Sequence, residues 1–305
     1  MAEFELIARI TDGLTLSDDV MIGPGDDAAV LGSGSATVVS TDILVEDVHF
    51  KRGWSMPHDI GRKAVAVNVS DVESMGARPT GIVIAVALPE DADEDWALAL
   101  SAGIREEAER ANISVVGGDL SKGDKVVVCG TALGALEKAP VTRSGAREGD
   151  VVAVCGNLGW ASAGLTTLQR GFRSPVAAVE QYRCPSVPYG QGLAAAQAGA
   201  TAMIDVSDGL LADLGHISDA SKVAIDIHTE RIAVPEVVQR ISDATGKTPW
   251  QFILAGGEDH ALVATFPPEA QLPPGWDQIG AVQAGAGVTV DGEDWELETG
   301  WDHFR

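Results

Sequence analysis

Asp71 lies in the stretch GRKAVAVNVSDVESMGARPTG (Gly61–Gly81), where Ala64, Val65, Val67, Val69 and Val72 are too closely spaced for a solvated helix face. The segment is therefore expected to be buried, carrying Asn68, Ser70, Asp71 and Glu73 with it. A carboxylate buried alone is costly, so it is normally paired, hydrogen-bonded or bound to a metal. Capping a helix or accepting backbone N–H groups would satisfy a single aspartate. Acids return, however, as Asp26 and Asp27 in a glycine-rich turn, in Ser40-Thr41-Asp42, in Gly117-Gly118-Asp119, and as Asp205 and Asp208 around Ser207. An Asp pair after glycine is often only a turn. So many oxygen ligands together suit a hard cation such as Mg2+, and an acidic protein that handles anionic phosphates needs such cations.

The elements that must carry these residues follow from pattern. Phe4–Ile10 reads as a short amphipathic helix, and Ala36–Thr41 as a buried strand with Ser40-Thr41-Asp42 at its end. Ile43–Phe50 places His49 in an apolar setting, where a lone histidine is more often a hydrogen-bonded core residue than a ligand. Gly81–Leu88 is a buried strand closed by Pro89. Trp96, Leu100, Ile104, Ala108 and Ala111 keep one helical face apolar. Ile113–Gly118 returns as a strand with Asp119 at its end, and Lys125–Leu136 is a further β run. The polar stretch Lys138–Asp150 reads as a connection, giving domains over 1–137 and 138–305. Its Arg143 is either a solvated linker arginine or, by guanidinium geometry, a phosphate contact. In the second half, Ala202–Leu210 carries Asp205, Ser207 and Asp208 from a strand through a glycine turn into the helix 211–221, a junction that favours anions. Gly256-Gly257-Glu258-Asp259 precedes another strand, and the aromatic tail GWDHF (Gly300–Phe304) is expected to dock. The whole is a mixed α/β chain.

The formal net charge of −24 over 305 residues argues against nucleic acid, which demands a positive footprint. No apolar run approaches a membrane span, and Met1–Ile10 carries acids instead of a basic leader. The isolated Cys129, Cys155 and Cys184 suggest reduced thiols in a cytoplasmic protein. No Walker loop, dinucleotide glycine fingerprint, nucleophile elbow or HExxH occurs. A nucleotide would have to be held by acids and metals.

GDDAAV, STDILVEDVHF, NVSDVESMGARP, GGDLSKG, TRSGAREGD, IDVSDGLLADLGHI, GGEDHAL and GWDHF occur in that order. Each is weak alone; the ordered set resembles the thiamine-monophosphate kinase family of the aminoimidazole-ribonucleotide-synthetase-like superfamily, from Phe4 to Phe304. The resemblance implies a two-domain fold whose N-terminal sheet forms a barrel at a homodimer interface, beside a C-terminal α/β domain. It also implies ATP-dependent phosphorylation of thiamine monophosphate to thiamine diphosphate, with several Mg2+ ions. By position, Asp27, Ser40, Thr41, Asp42, Asp71, Asp119, Asp205 and Asp208 would ligate metal, with Asp71, Asp42 and Asp208 central to catalysis. Gly118, Asp119, Arg143 and Ser207 would contact ATP, and His49, Glu258 and Trp301 the thiamine phosphate. Two departures stand out: Asp47 where the family commonly has glycine, and His260 where it commonly has tyrosine, both expected to lie clear of the metal ligands. Selenophosphate synthetase would carry a cysteine near its start, and the hydrogenase-maturation relative one at its end; neither is present. The alternatives that stand are aminoimidazole ribonucleotide synthetase and a non-catalytic dimer that binds Mg2+-nucleotide.

Overall fold

The computed structural model describes residues 13–15, 17, 19–22, 30–31, 37–297 and 300. Asp27, Trp301 and the expected helix at Phe4–Ile10 lie outside them. The chain divides into two compact units, one of residues 1–72 and 77–137, the other of 73–76 and 138–305. None of the described helices is long and apolar enough to cross a membrane.

Two short strands, β1 (Val20–Ile22) and β2 (Val30–Leu31), pair antiparallel. The first unit is otherwise built on a four-stranded sheet of β3 (Thr37–Val45), β4 (Arg78–Leu88), β5 (Ser114–Lys122) and β6 (Val127–Ala135), in the order β3-β6-β4-β5. Only β4 and β5 run parallel. Helix α1 (Pro57–Ser74) is buried nearly all round, with Val65, Ala66, Val69 and Ser70 at 0% exposure. It can lie this close to β6 because the facing residues are Gly130, Ala132 and Gly134. A Cβ at Gly130 would meet the Asn68 amide, and one at Gly134 the Val72 side chain. Helix α2 (Glu94–Arg110) starts where Asp93 accepts the Trp96 N–H at 2.9 Å, with Glu94 and Asp95 in its first turn. It crosses α1 at Gly61 and Gly103, each of which touches the backbone of the other helix.

The second unit holds a seven-stranded sheet. Its strands are β7 (Val151–Cys155), β8 (Ala202–Asp205), β9 (Ala224–Ile227), β10 (Leu262–Phe266), β11 (Asp277–Gln283), β12 (Gly287–Val290) and β13 (Glu293–Asp294), in the order β13-β12-β9-β11-β7-β10-β8. Pairing is antiparallel except between β12 and β9. Both faces are covered, which explains continuous apolar runs such as VVAVC. Val152 and Val154 face the larger core, with Ile204, Leu214, Ile225 and Phe252. Ala153 and Cys155 face a smaller one, with Met203, Phe266 and Trp276. The helices are α3 (Trp160–Gln169), α4 (Val176–Arg183), α5 (Gln191–Ala198), α6 (Leu210–Ser221), α7 (Glu236–Thr245) and α8 (Pro249–Ile253).

Two sequence expectations are corrected. Ser40-Thr41-Asp42 lies in the middle of β3, because Ile43, Leu44 and Val45 continue the ladder to Val127. Asp119 also lies inside its strand. β5 runs on to Lys122 through a bulge at Gly117, whose φ of 155° suits glycine.

Candidate active site

In the first unit, strand alternation turns Ser40 and Asp42 toward α1 and Thr41 to the opposite face. The Ser40 hydroxyl donates to Asp71 Oδ2 at 2.5 Å. The Asp42 N–H donates to Asn68 Oδ1 at 3.0 Å, while Asn68 Nδ2 is fixed on the Ala64 carbonyl at 2.8 Å. Helix α1 thus delivers Asp71 and Asn68, one turn apart, to the middle of β3. The Thr41 hydroxyl instead donates to the Gly130 carbonyl at 2.6 Å and accepts from Thr131 at 3.1 Å. Its side chain is therefore not grouped with Ser40, Asp42 and Asp71. Asp119 is not grouped with them either: it lies on β5, the far edge of the sheet from β3, where it pairs with Ala85 of β4. Three strand spacings, about 14 Å, separate those edges.

Beside Gly118 and Asp119, a cavity of about 100 Å³ opens between the sheet and α2, lined by apolar side chains including Ile84, Leu100, Ile104 and Leu120. His49 closes the turn after β3. Its Nδ1 accepts the Val45 N–H at 2.9 Å, so a neutral ring carries its proton on Nε2. Asp47, in the same turn, has φ of 69°, the conformation in which glycine is easiest, and its carboxylate meets Lys125 Nζ at 2.8 Å.

In the second unit, two loops are stitched along their backbones. The N–H groups of Val206, Glu258, His260 and Leu211 donate to the carbonyls of Ala261, Ser207, Val206 and Leu254 at 2.7–2.9 Å. Gly257 allows this approach, since a Cβ there would meet the Ser207 carbonyl. The stitching brings Asp205, Ser207, Asp208 and Glu258 into one neighbourhood at the end of β8 and the start of α6. Gly300 packs against the Asp208 carbonyl and Ala212, so the tail docks at least at its first residue. Arg143 is exposed; its carbonyl accepts the Ser221 hydroxyl at 2.8 Å, which fixes the backbone beneath the guanidinium.

Sequence reasoning missed four contributions. Asp213, five residues after Asp208, accepts the N–H groups of Asp208 and Gly209 at 3.1 and 3.0 Å. Burial, then the charge of Asp205, pushes its carboxyl up to about 7. Asp259, 3% exposed, accepts the N–H groups of Gly159 and Ala161 at 2.5 and 2.8 Å and so caps α3 from a distance. Glu73 does the same for α5, accepting from Gly190 and Gly192 at 2.7 and 2.9 Å. Finally, His260 was expected to lie clear of the metal ligands, yet its Nδ1 is 2.9 Å from Asp205 Oδ2. The left-handed backbone at 260 (φ 50°) turns the ring inward. The sequence signals for these were an acid just inside a helix start for Asp213 and a carboxylate in a buried apolar run for Glu73, whose partners the sequence did not identify.

The donors gathered here fit a divalent cation. Ser40, Asp42 and Asp71 supply hydroxyl and carboxylate oxygens only. Ligand atoms of Asp208, Asp213 and His216 lie within 4.8 Å of one another. The carboxylate charge that lifts Asp213 is charge that a cation offsets.

The family model for AIR synthase related protein, N-terminal domain, matches residues 25–136. The thiamine-monophosphate kinase of Mycobacterium tuberculosis is 46% identical over 308 residues, spanning 100% of this chain and 92% of that relative. Among solved structures, AaThiL complexed with AMPPCP and TMP matches with a TM-score of 0.82 at 36% identity, over 88% of this chain and 87% of the other. The thiamine-monophosphate kinase from Stenotrophomonas maltophilia K279a matches with a TM-score of 0.82 at 34% identity, over 96% and 98% of the two chains.

Proposed function

The chain belongs to the thiamine-monophosphate kinase family, and from that premise we propose that it transfers the γ-phosphoryl group of ATP directly to the phosphate of thiamine monophosphate, giving thiamine diphosphate and ADP. The observation that carries this reading is the likeness, at 36% identity and a TM-score of 0.82, to AaThiL complexed with AMPPCP and TMP.

Both substrates present phosphate oxygens, so nucleophile and electrophile repel each other, and transfer depends on positioning and charge neutralisation. The acceptor is already an anion, so no strong general base is required, and no serine or cysteine nucleophile is assigned. Ser40, Asp42 and Asp71 in one unit, and Asp205 and Asp208 in the other, would hold Mg2+, as would Asp119 and Asp27 by family position; Thr41, whose hydroxyl is turned to the Gly130 carbonyl on the opposite sheet face, is left out of that group. Bound there, Mg2+ would neutralise phosphate charge and orient the reacting groups. Gly118 and Asp119 border the apolar cavity against α2, which suits the flat base of ATP; Arg143 and Ser207 would meet its phosphates. His49, with its proton on Nε2, would donate to the acceptor phosphate. Glu258 and Trp301 would line the thiamine, Trp301 by stacking on its cationic ring, a contact of about 0.5–2 kcal/mol.

The homodimer belongs to the same proposal. On the sheet face turned away from α1, Val39 and Ile43 are 59% and 48% exposed, flanking Thr41. An apolar strand face open to water favours a partner, and a second copy closing the two sheets into a barrel would cover it. The reading is tested by following γ-labelled phosphate from ATP: it predicts label in thiamine diphosphate and none in inorganic phosphate. Label only in inorganic phosphate would overturn it.

A further inference from the structure

We propose that His260 is a positioning residue for the Asp205 carboxylate, and that the buried Asp259 cap locks the loop that presents it. The proposal rests on Asp205 being a metal ligand.

His260 and Asp205 are both nearly inaccessible, at 7% and 5% exposure, and their side chains meet at 2.9 Å. The backbone that makes this possible is strained. Glu258 and His260 both have left-handed φ, 69° and 50°. Such conformations persist where the surroundings over-determine them. Asp259, between the two, supplies the constraint, because its carboxylate is fixed on the first N–H groups of α3. Hydrogen bonds from Glu258 and His260 to Ser207 and Val206 hold the other side of the loop. The imidazole is thereby delivered from β10's side of the sheet to the end of β8. A carboxylate held through one oxygen has less rotational freedom to lose when it takes a cation, and partners of this kind typically contribute 10–100-fold to metal affinity.

The test compares His260→Leu with His260→Asn. The Asn amide nitrogen occupies the place of imidazole Nδ1, and Asn tolerates the left-handed backbone. Mn2+ binding is titrated by electron paramagnetic resonance without nucleotide, in wild type, both variants and Asp205→Asn, and the Mg2+ dependence of turnover is measured alongside. The expected result is weaker Mn2+ binding for Asp205→Asn, a loss of about 10-fold or more for His260→Leu, and recovery to near wild type for His260→Asn. Turnover in His260→Leu should be regained at high Mg2+. Should His260→Leu fail to fold, His260→Gly suits the backbone and carries the same comparison. Wild-type binding by the ring-less variant while Asp205→Asn is impaired would overturn the positioning role alone. Failure of His260→Asn to recover would also overturn it. Wild-type binding by Asp205→Asn would overturn the metal role of Asp205, and the proposal with it.

Discussion

The Ser40 hydroxyl donates to the Asp71 carboxylate across 2.5 Å, joining the middle of β3 to the last turns of α1. Asparagine at 71 keeps an acceptor for Ser40 but removes the charge. Asp71→Asn should therefore fold with a thermal midpoint near wild type while turnover falls by about 100-fold or more, as when preorganised charge is lost from a transition state. Near-normal turnover would remove Asp71 from the metal-binding group.

Glu73 holds a structural position. Removing its carboxylate in Glu73→Ala strands the N–H groups of Gly190 and Gly192, each unsatisfied donor costing about 1–3 kcal/mol. Urea unfolding should show a loss of about 2–6 kcal/mol, and Glu73→Gln, which retains one acceptor, a smaller one. Equal stability of all three proteins would mean that water replaces the cap.

Asp259 sets a pH signature. Burial pushes its carboxyl from 3.8 up to about 7, against the pull of the Ala161 and Gly159 N–H groups. Between those values the folded protein keeps a proton that the unfolded chain has released. The contribution is fully present below 3.8 and is lost as pH rises through 7. The stability difference between wild type and the non-titrating Asp259→Asn should shift against wild type by up to about 1.4 kcal/mol per pH unit in that window, and level off above it. A shift in wild type's favour with rising pH would contradict this account.

The apolar face of β3 predicts assembly. Val39→Asp with Ile43→Asp should convert a dimer to a monomer in light scattering behind size exclusion, with α1 and the rest of the first unit still folded. A monomeric wild type would rule out the sheet-to-sheet dimer.

Elements were legible where patterning was local. The apolar face of α2 and the run at Gly81–Leu88 need only their own residues to be read. Grouping was less legible, because it depends on where strands stop. Ser40-Thr41-Asp42 looked like a ledge at a strand end, and only the β3–β6 ladder reveals that Thr41 points away. The caps made by Glu73 and Asp259 span 117 and 100 positions to Gly190 and Gly159, beyond any local signal. The contact of His260 with Asp205 depends on a left-handed backbone that a histidine does not announce.

The most direct test is ADP release from ATP-Mg2+ with thiamine monophosphate, formylglycinamidine ribonucleotide or no acceptor, each with and without EDTA. The account predicts metal-dependent release only with thiamine monophosphate, matched by thiamine diphosphate. Release only with the purine precursor would contradict it, leaving the fold assignment intact and moving the chain's chemistry to the aminoimidazole ribonucleotide synthetase reaction.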